Sequence, residues 1–398
     1  MNTTSMGTFN VGDFNGNLVY TYNDFSMSGN YLPVGISHVY NHHQRDEVTP
    51  VSSTMQYGKG MRLNVNMQVY YNSTDKRYEM IDEDGTTHYF FKEANQDRYQ
   101  KEFDTDVKLY VNTNDYTIDN KTQRLVFNIN TGFLSKVEDK TNNKIQQYTY
   151  NSSNQLTSIT DGAGRVTTLE YNTSNQLSKI KYAGNREISY EYTDNRLTKI
   201  TQSDGNVITL AYKTTDELES VSNVNEGKVT VEYHDKQLKR VSKITRYGTS
   251  NNPGDSFSMD YDLGETIVTD EDGYSISYLF DNSGHTVSAV DSEMNGVYGV
   301  YKNTDDNNKH SLNFESKMQT STINLAINHS PKSNENWTSN QTITLVNTDN
   351  EAKAEFTGQA FKLTNSAYLR QQVAYPVEAN KSYTVSAYVK INTLQRPF

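Results

Sequence analysis

Four features of this sequence recur in step, and their shared period constrains what the chain can fold into more than anything else in it. Tyrosine stands at Tyr150, Tyr171, Tyr192, Tyr212 and Tyr233, at intervals of 21, 21, 20 and 21 residues. Leucine follows at Leu156, Leu177, Leu197, Leu218 and Leu238, with a β-branched residue three further on at Ile159, Ile180, Ile200, Val221 and Val241. Between these series lie glycine-bearing turns at Asp161-Gly162, Ala183-Gly184, Asp204-Gly205 and Glu226-Gly227. A catalytic centre is a unique constellation, so a unit copied along the chain speaks first of architecture.

The segment before each tyrosine alternates with period two, the signature of a half-buried strand. Thr167/Leu169/Tyr171, Ile188/Tyr190/Tyr192, Ile208/Leu210/Tyr212 and Val229/Val231/Tyr233 fall on one face, while their neighbours Val166, Thr168 and Glu170 and their equivalents fall on the other. One face is apolar and the other mostly wet. Each glycine is expected to supply the positive φ that a tight hairpin turn demands. A short polar turn then leads to a second strand, so each unit is strand, turn, strand, turn. The Leu-x-x-Ile pair conflicts with this, because residues three apart on a regular strand face opposite ways. Either a bulge intervenes or the leucine belongs to the turn and folds back over the apolar side; the second is the expectation here. A leucine-rich repeat is the rival at this period, but its L-x-L-x-x-N continuation is missing.

These residues resemble the Rhs/YD-repeat family, whose unit runs Tyr-Asp, a short turn, Leu, then Asp-Gly. The stretch FDNSGHTVSAVD at 280–291 comes nearest to the Y-D-x-x-G-x-L core, with Phe280 for tyrosine and Val287 for leucine. In YNSSNQL and YNTSNQL an asparagine replaces the turn glycine, an exchange that its tolerance of the left-handed region allows. Residues 15–45, beginning NGNLVYTYNDFS, resemble the segment that opens the repeat tract in bacterial wall-associated relatives. The resemblance implies a β-ribbon spiralling into a hollow shell, as in bacterial polymorphic toxins. The expectation is an all-β chain, with an N-terminal β region at 1–79 and an antiparallel β-hairpin repeat ribbon forming a partial YD-repeat shell at 80–300. The polar, charged run at 301–317 reads as a linker. Residues 361–390 resemble the central strands of jelly-roll carbohydrate-binding-like modules, with an alternating strand at 383–390, so 318–398 is expected to be a truncated module of that kind, an incomplete β-sandwich. Being short of repeats, the fragment is expected to expose apolar surface and strand edges. Sequence is expected to continue beyond Phe398, and any export signal to lie outside this chain.

Composition narrows the partners. The net charge of −11, with no basic run, offers no footprint for nucleic acid, and no stretch has the apolar length of a membrane-spanning helix. With no cysteine, disulfides and thiolate chemistry are excluded together. Aromatic residues make up 11% of the chain against an apolar fraction of only 34%, which indicates folded β-structure with thin cores.

Candidate chemistry is sparse. His42-His43 offer imidazoles, but adjacent strand residues point apart, and solvated loop histidines are expected. The acidic runs at 82–85, 270–273 and 303–308 lack calcium-loop spacing and read as two hairpin turns and a linker. No nucleophile elbow, zinc-helix motif or phosphate loop occurs, and there is no Asp-Pro dipeptide. The chain is therefore expected to be no enzyme and to need no metal or cofactor. Trp337 and Tyr388 are the candidates for stacking on a sugar. The repeated positions Tyr150, Tyr171, Tyr192, Tyr212, Tyr233, Gly162, Gly184, Gly205 and Gly227 are read as structural. The function expected is a shell-forming segment of a secreted or wall-associated toxin-type protein, with a C-terminal toxin domain of the same polypeptide as partner. The alternative is an adhesin that binds cell-wall or host polysaccharide; hydrolysis has no motif to support it.

Overall fold

The structure is a computed structural model, and it describes residues 2–3, 6–45, 56–102, 104–234, 239–281, 284–292, 295–303, 312–319, 337–347, 359–363 and 367–371. It divides into two compact units, Met1–Thr322 with Lys353–Phe356, and Ile323–Ala352 with Thr357–Phe398. All the regular structure among the described residues is strand.

The first unit holds two sheets. Five N-terminal strands, Asn2–Thr3, Gly7–Val11, Leu18–Ser26, Gly35–Asn41 and Met61–Leu63, pair in chain order. From Gln68–Asn72 to Leu312–Gln319 every strand then pairs antiparallel with the next, in one sheet of 24 strands. This ribbon closes on itself. Gln68 bridges to Phe133, the Val69 amide donates to the Gly132 carbonyl at 2.9 Å, and the Leu134 amide reaches the Met67 carbonyl at 3.4 Å.

The ribbon begins at Gln68, earlier than the residue 80 expected, and its pairing runs on through Gly296–Asn303 and Leu312–Gln319. Both ends of the polar stretch expected to be a linker, 301–317, are thus strand. Hairpin pairing uses main-chain groups, so a polar sequence does not by itself end a ribbon.

The apolar face is where the alternation placed it. Thr167, Leu169, Ile188, Tyr190, Ile208, Leu210, Val229 and Val231 are buried, whereas Val166, Glu170, Glu191 and Ala211 are exposed. The exposed apolar interior expected of a short fragment is not found over the central repeats. The N-terminal sheet covers it: Phe25 stacks on Tyr182 at 4.2 Å, His38 meets Tyr190 at 4.7 Å, and His42 stacks on Tyr233 at 4.8 Å. Both sheets contribute to one core cluster that runs from Met6 to Ile244. Two sheets, each greasy on one side, bury those sides against each other.

In the second unit, Thr338–Ser339 pairs with Leu369–Arg370 and Thr344–Asn347 with Gln359–Lys362. The sandwich strand expected at 383–390, with Tyr388, lies outside the described residues.

Candidate functional site

The inner face of the ribbon is the feature the fold is organised around, and its geometry follows from the Leu-x-x-Ile conflict. The structure resolves that conflict with a β-bulge in each unit, not with a leucine folded back from the turn. Register shifts fall between Thr149 and Tyr150, Glu170 and Tyr171, Glu191 and Tyr192, Ala211 and Tyr212, and Glu232 and Tyr233. One extra residue on the leucine strand turns Leu156 and Ile159, Leu177 and Ile180, Leu197 and Ile200, and Leu218 and Val221 all inward, each fully buried. In the fifth unit Tyr233 pairs with Val241, so Val241 and Ile244 fill the two inward positions. The expected pair there was Leu238 and Val241; Leu238 is outside the described residues, and the longer turn moved the register by three.

A bulge strands main-chain groups that the ladder would otherwise pair, and buried groups need partners. Each unit supplies them in the same way. The hydroxyl of Tyr150 donates to the Leu134 carbonyl at 2.7 Å, Tyr171 to Leu156 at 2.9 Å, Tyr192 to Leu177 at 2.8 Å, Tyr212 to Leu197 at 3.0 Å, and Tyr233 to Leu218 at 2.9 Å. Tyr261 repeats the contact with Val241 at 2.8 Å. Each tyrosine therefore bonds the bulge of the unit before it, binding neighbouring hairpins together. Burial pushes these phenols well above their ordinary value. A second partner is the hydroxyl after the leucine: Ser135, Thr157, Ser178 and Thr198 donate to the carbonyls of Val126, Thr149, Glu170 and Glu191 at 2.9–3.2 Å. Sequence reasoning passed over these four, although a hydroxyl residue at a fixed offset from each leucine was there to be read.

The bulge amides meet the N-terminal segment. Leu177 donates to the Gln56 carbonyl at 3.0 Å, Leu218 to the Tyr40 hydroxyl at 3.2 Å, and Val241 to the Gly16 carbonyl at 3.0 Å. Gly58, at φ +97°, lies so close that an added Cβ would stand 2.7 Å from the Leu197 nitrogen. The seam also holds a buried polar cluster. Asp24 accepts from His38 Nδ1 at 2.8 Å and from the Tyr190 hydroxyl at 3.0 Å. At the seam's edge Lys59 pairs with Asp216 at 2.6 Å.

Two expectations need correction, and a third holds. His42 is buried beneath Tyr233 and beside Tyr40, and His43 is partly covered, so they are not solvated loop histidines. The sheet seam supplies a ring surface that a loop would not. Gly162 is not the positive-φ residue of its turn: Gly164 is, at +83°. Gly162 is small for a different reason, since a Cβ there would stand 2.7 Å from the Tyr31 carbonyl oxygen. Gly184, Gly205 and Gly227 do take positive φ, and Asn154 and Asn175 replace glycine at φ 61° and 63°. The acidic turns at 82–85 and 270–273 are hairpin turns in which Asp82 and Asp270 accept backbone amides. Residues 304–308 lie outside the described residues.

Among the described residues no group of three or more His, Asp or Glu is placed to hold a metal, and no helix is long and apolar enough to cross a membrane. Trp337 is half-buried, edge-on to Phe361 at 5.4 Å.

Residues 150–187 match the family model described as RHS Repeat. The chain is 34% identical over 143 residues to the tRNA nuclease WapA of Bacillus subtilis strain 168, and equally to the tRNA(Glu)-specific nuclease WapA of B. subtilis subsp. natto. Each match takes in 36% of this chain but only 6% of the relative. Among solved structures, a Photorhabdus luminescens Tc holotoxin pore aligns over 77% of this chain and 18% of its own at 13% identity, with a TM-score of 0.33, too loose a likeness to assign a fold.

Proposed function

We propose that this chain, an Rhs/YD-repeat protein, builds the wall of a protective shell in a secreted, toxin-type polypeptide and is itself non-catalytic. The observation that carries the proposal is the inward-facing apolar column of a ribbon that closes on itself, lined over the central repeats by the N-terminal sheet. Side chains that would be mobile and chemically available in an enzyme cleft are here committed to main-chain partners. The work of the segment is exclusion: a wall greasy inside and polar outside separates what it encloses from solvent and from the producing cell. The enclosed partner is a C-terminal effector of the same polypeptide, beyond residues 1–398. The relatives' name as nucleases suggests the class of that effector, not an activity of this segment.

The test is limited proteolysis of the natural polypeptide that carries this chain. The effector should resist protease while the ribbon is folded and become digestible when the ribbon is opened. Equal digestion in both states would end the shell proposal. The adhesin alternative rests on Trp337 and Tyr388, and retention of the polypeptide on pelleted cell wall, lost on Trp337→Ala, would favour it instead.

A further inference from the structure

The first hairpins of the ribbon carry a group of aromatic side chains at the margin of the core, where Tyr78, Tyr99 and Tyr116 pack against the core cluster and Tyr71 reaches solvent. Tyr71 and Tyr78 stand directly opposite each other on strands Gln68–Asn72 and Arg77–Ile81. Their ring centroids lie 4.9 Å apart, tilted by 56°. Tyr78 also meets Tyr99 edge-on at 4.8 Å and Tyr116 at 5.6 Å. One ring thus touches three others, drawn from four strands. Tyr71 is 48% exposed and the other three are half-buried. The repeat tyrosines differ, since each gives its hydroxyl to a main-chain carbonyl, and the Tyr40–Tyr212 contact is longer, at 6.5 Å, with Tyr40 fully buried.

We propose that Tyr71 and Tyr78 are an oxidative cross-linking site, forming a dityrosine bond under a peroxide-driven one-electron oxidant such as a haem peroxidase. Each phenol loses one electron and one proton to give a phenoxyl radical, and the two radicals couple through their ring carbons ortho to oxygen. A carbon–carbon bond forms, the two ring hydrogens at those carbons leave as both phenols are restored, and one peroxide is reduced to two waters. Access and proximity are both needed, and this pair has both: Tyr71 is open to the oxidant, and Tyr78 is already in ring contact with it. The chain has no cysteine, so no thiol of its own quenches the radical. The bond would staple the hairpin that closes the ribbon, because Gln68 of the same hairpin bridges to Phe133.

The experiment treats the full chain with hydrogen peroxide and a haem peroxidase, then maps trypsin-cleaved peptides by mass spectrometry. Cleavage after Arg77 places the two tyrosines on separate peptides, so the cross-link appears as a joined pair lighter by two hydrogens. Its yield should not change on tenfold dilution of the protein, and Tyr71→Phe should abolish it while leaving the circular dichroism unchanged. Tyr31 and Tyr368 are as exposed, at 48% and 49%, but among the described residues neither is in ring contact with another tyrosine; they face Lys144 and Arg370. Coupling that maps to Tyr31 or Tyr368 instead, or that falls away on dilution, would overturn the proposal. So would a Tyr71–Tyr78 yield that is the same in strong denaturant.

Discussion

Replacing Tyr192 by phenylalanine removes one oxygen and leaves the Leu177 carbonyl, bonded at 2.8 Å in the bulge, without its partner. The ring keeps its packing, so the loss is the hydrogen bond alone. A neutral hydrogen bond contributes about 1 kcal/mol net, and leaving a buried acceptor unpaired costs roughly 1–3 kcal/mol. The Tyr192→Phe variant should therefore lose about 1–3 kcal/mol, with every 1.4 kcal/mol worth about tenfold in an opening equilibrium. Hydrogen exchange followed by mass spectrometry reads this locally, on strands Leu177–Tyr182 and Arg186–Thr193. Their slow amides should exchange roughly tenfold faster or more, while strands beyond the neighbouring units change little. Ser178→Ala is the internal control. Its hydroxyl bonds the Glu170 carbonyl at an exposed position where water can replace it, so its effect should stay below about 1 kcal/mol. If the two variants behave alike, the tyrosine ladder is packing and not hydrogen bonding, and the reasoning about bulge groups fails.

Other outcomes follow from the same geometry. Gly58→Ala puts a Cβ against the Leu197 main chain at a positive φ and should cost about 1–3 kcal/mol or more, read as a lowered Tm; an unchanged Tm would show that the N-terminal segment does not lie there. Asp24→Ala leaves His38 and the Tyr190 hydroxyl buried without their acceptor and should cost about 3–5 kcal/mol, whereas Lys181→Ala, which breaks an outer-face pair with Glu170, should cost no more than about 1 kcal/mol. Burial raises the phenols of Tyr22 and Tyr57 to about 12 from the ordinary 10.0, and those of the repeat tyrosines rise as well. A raised folded value means stability is fully present below pH 10 and is lost as pH climbs through the folded values. Tyrosinate absorbance should therefore rise together with loss of β-sheet circular dichroism above pH 10; a smooth titration of all the tyrosines with the sheet intact would contradict this.

Much of the ribbon was legible in the sequence because period two and period 21 report directly on strand faces and repeat length. The buried set Leu169, Tyr190, Leu210 and Val231 follows from alternation alone. The bulge was not decided, because a Leu-x-x-Ile spacing fits either a bulge or a folded-back turn, and only the register of the partner strand separates them. Burial of His42 and the seam acceptors at Gly16, Tyr40 and Gln56 was illegible for another reason. These contacts join residues some 120 to 225 positions apart, and no local pattern carries that information. The Tyr71–Tyr78 contact lay within reach of the sequence, since a hairpin turn within NSTDKR sets the tyrosine before it opposite the tyrosine after it once the turn is fixed.

The most direct test of the sealed interior is zero-length carbodiimide coupling of the folded chain. Lys59 of the N-terminal segment and Asp216 of the ribbon lie 2.6 Å apart at the partly exposed edge of the seam. If the N-terminal sheet lines the ribbon, peptide mapping will find an amide between Lys59 and Asp216. If the ribbon is unlined, Lys181 and Glu170 will couple on the outer face while Lys59 finds no partner among the repeats.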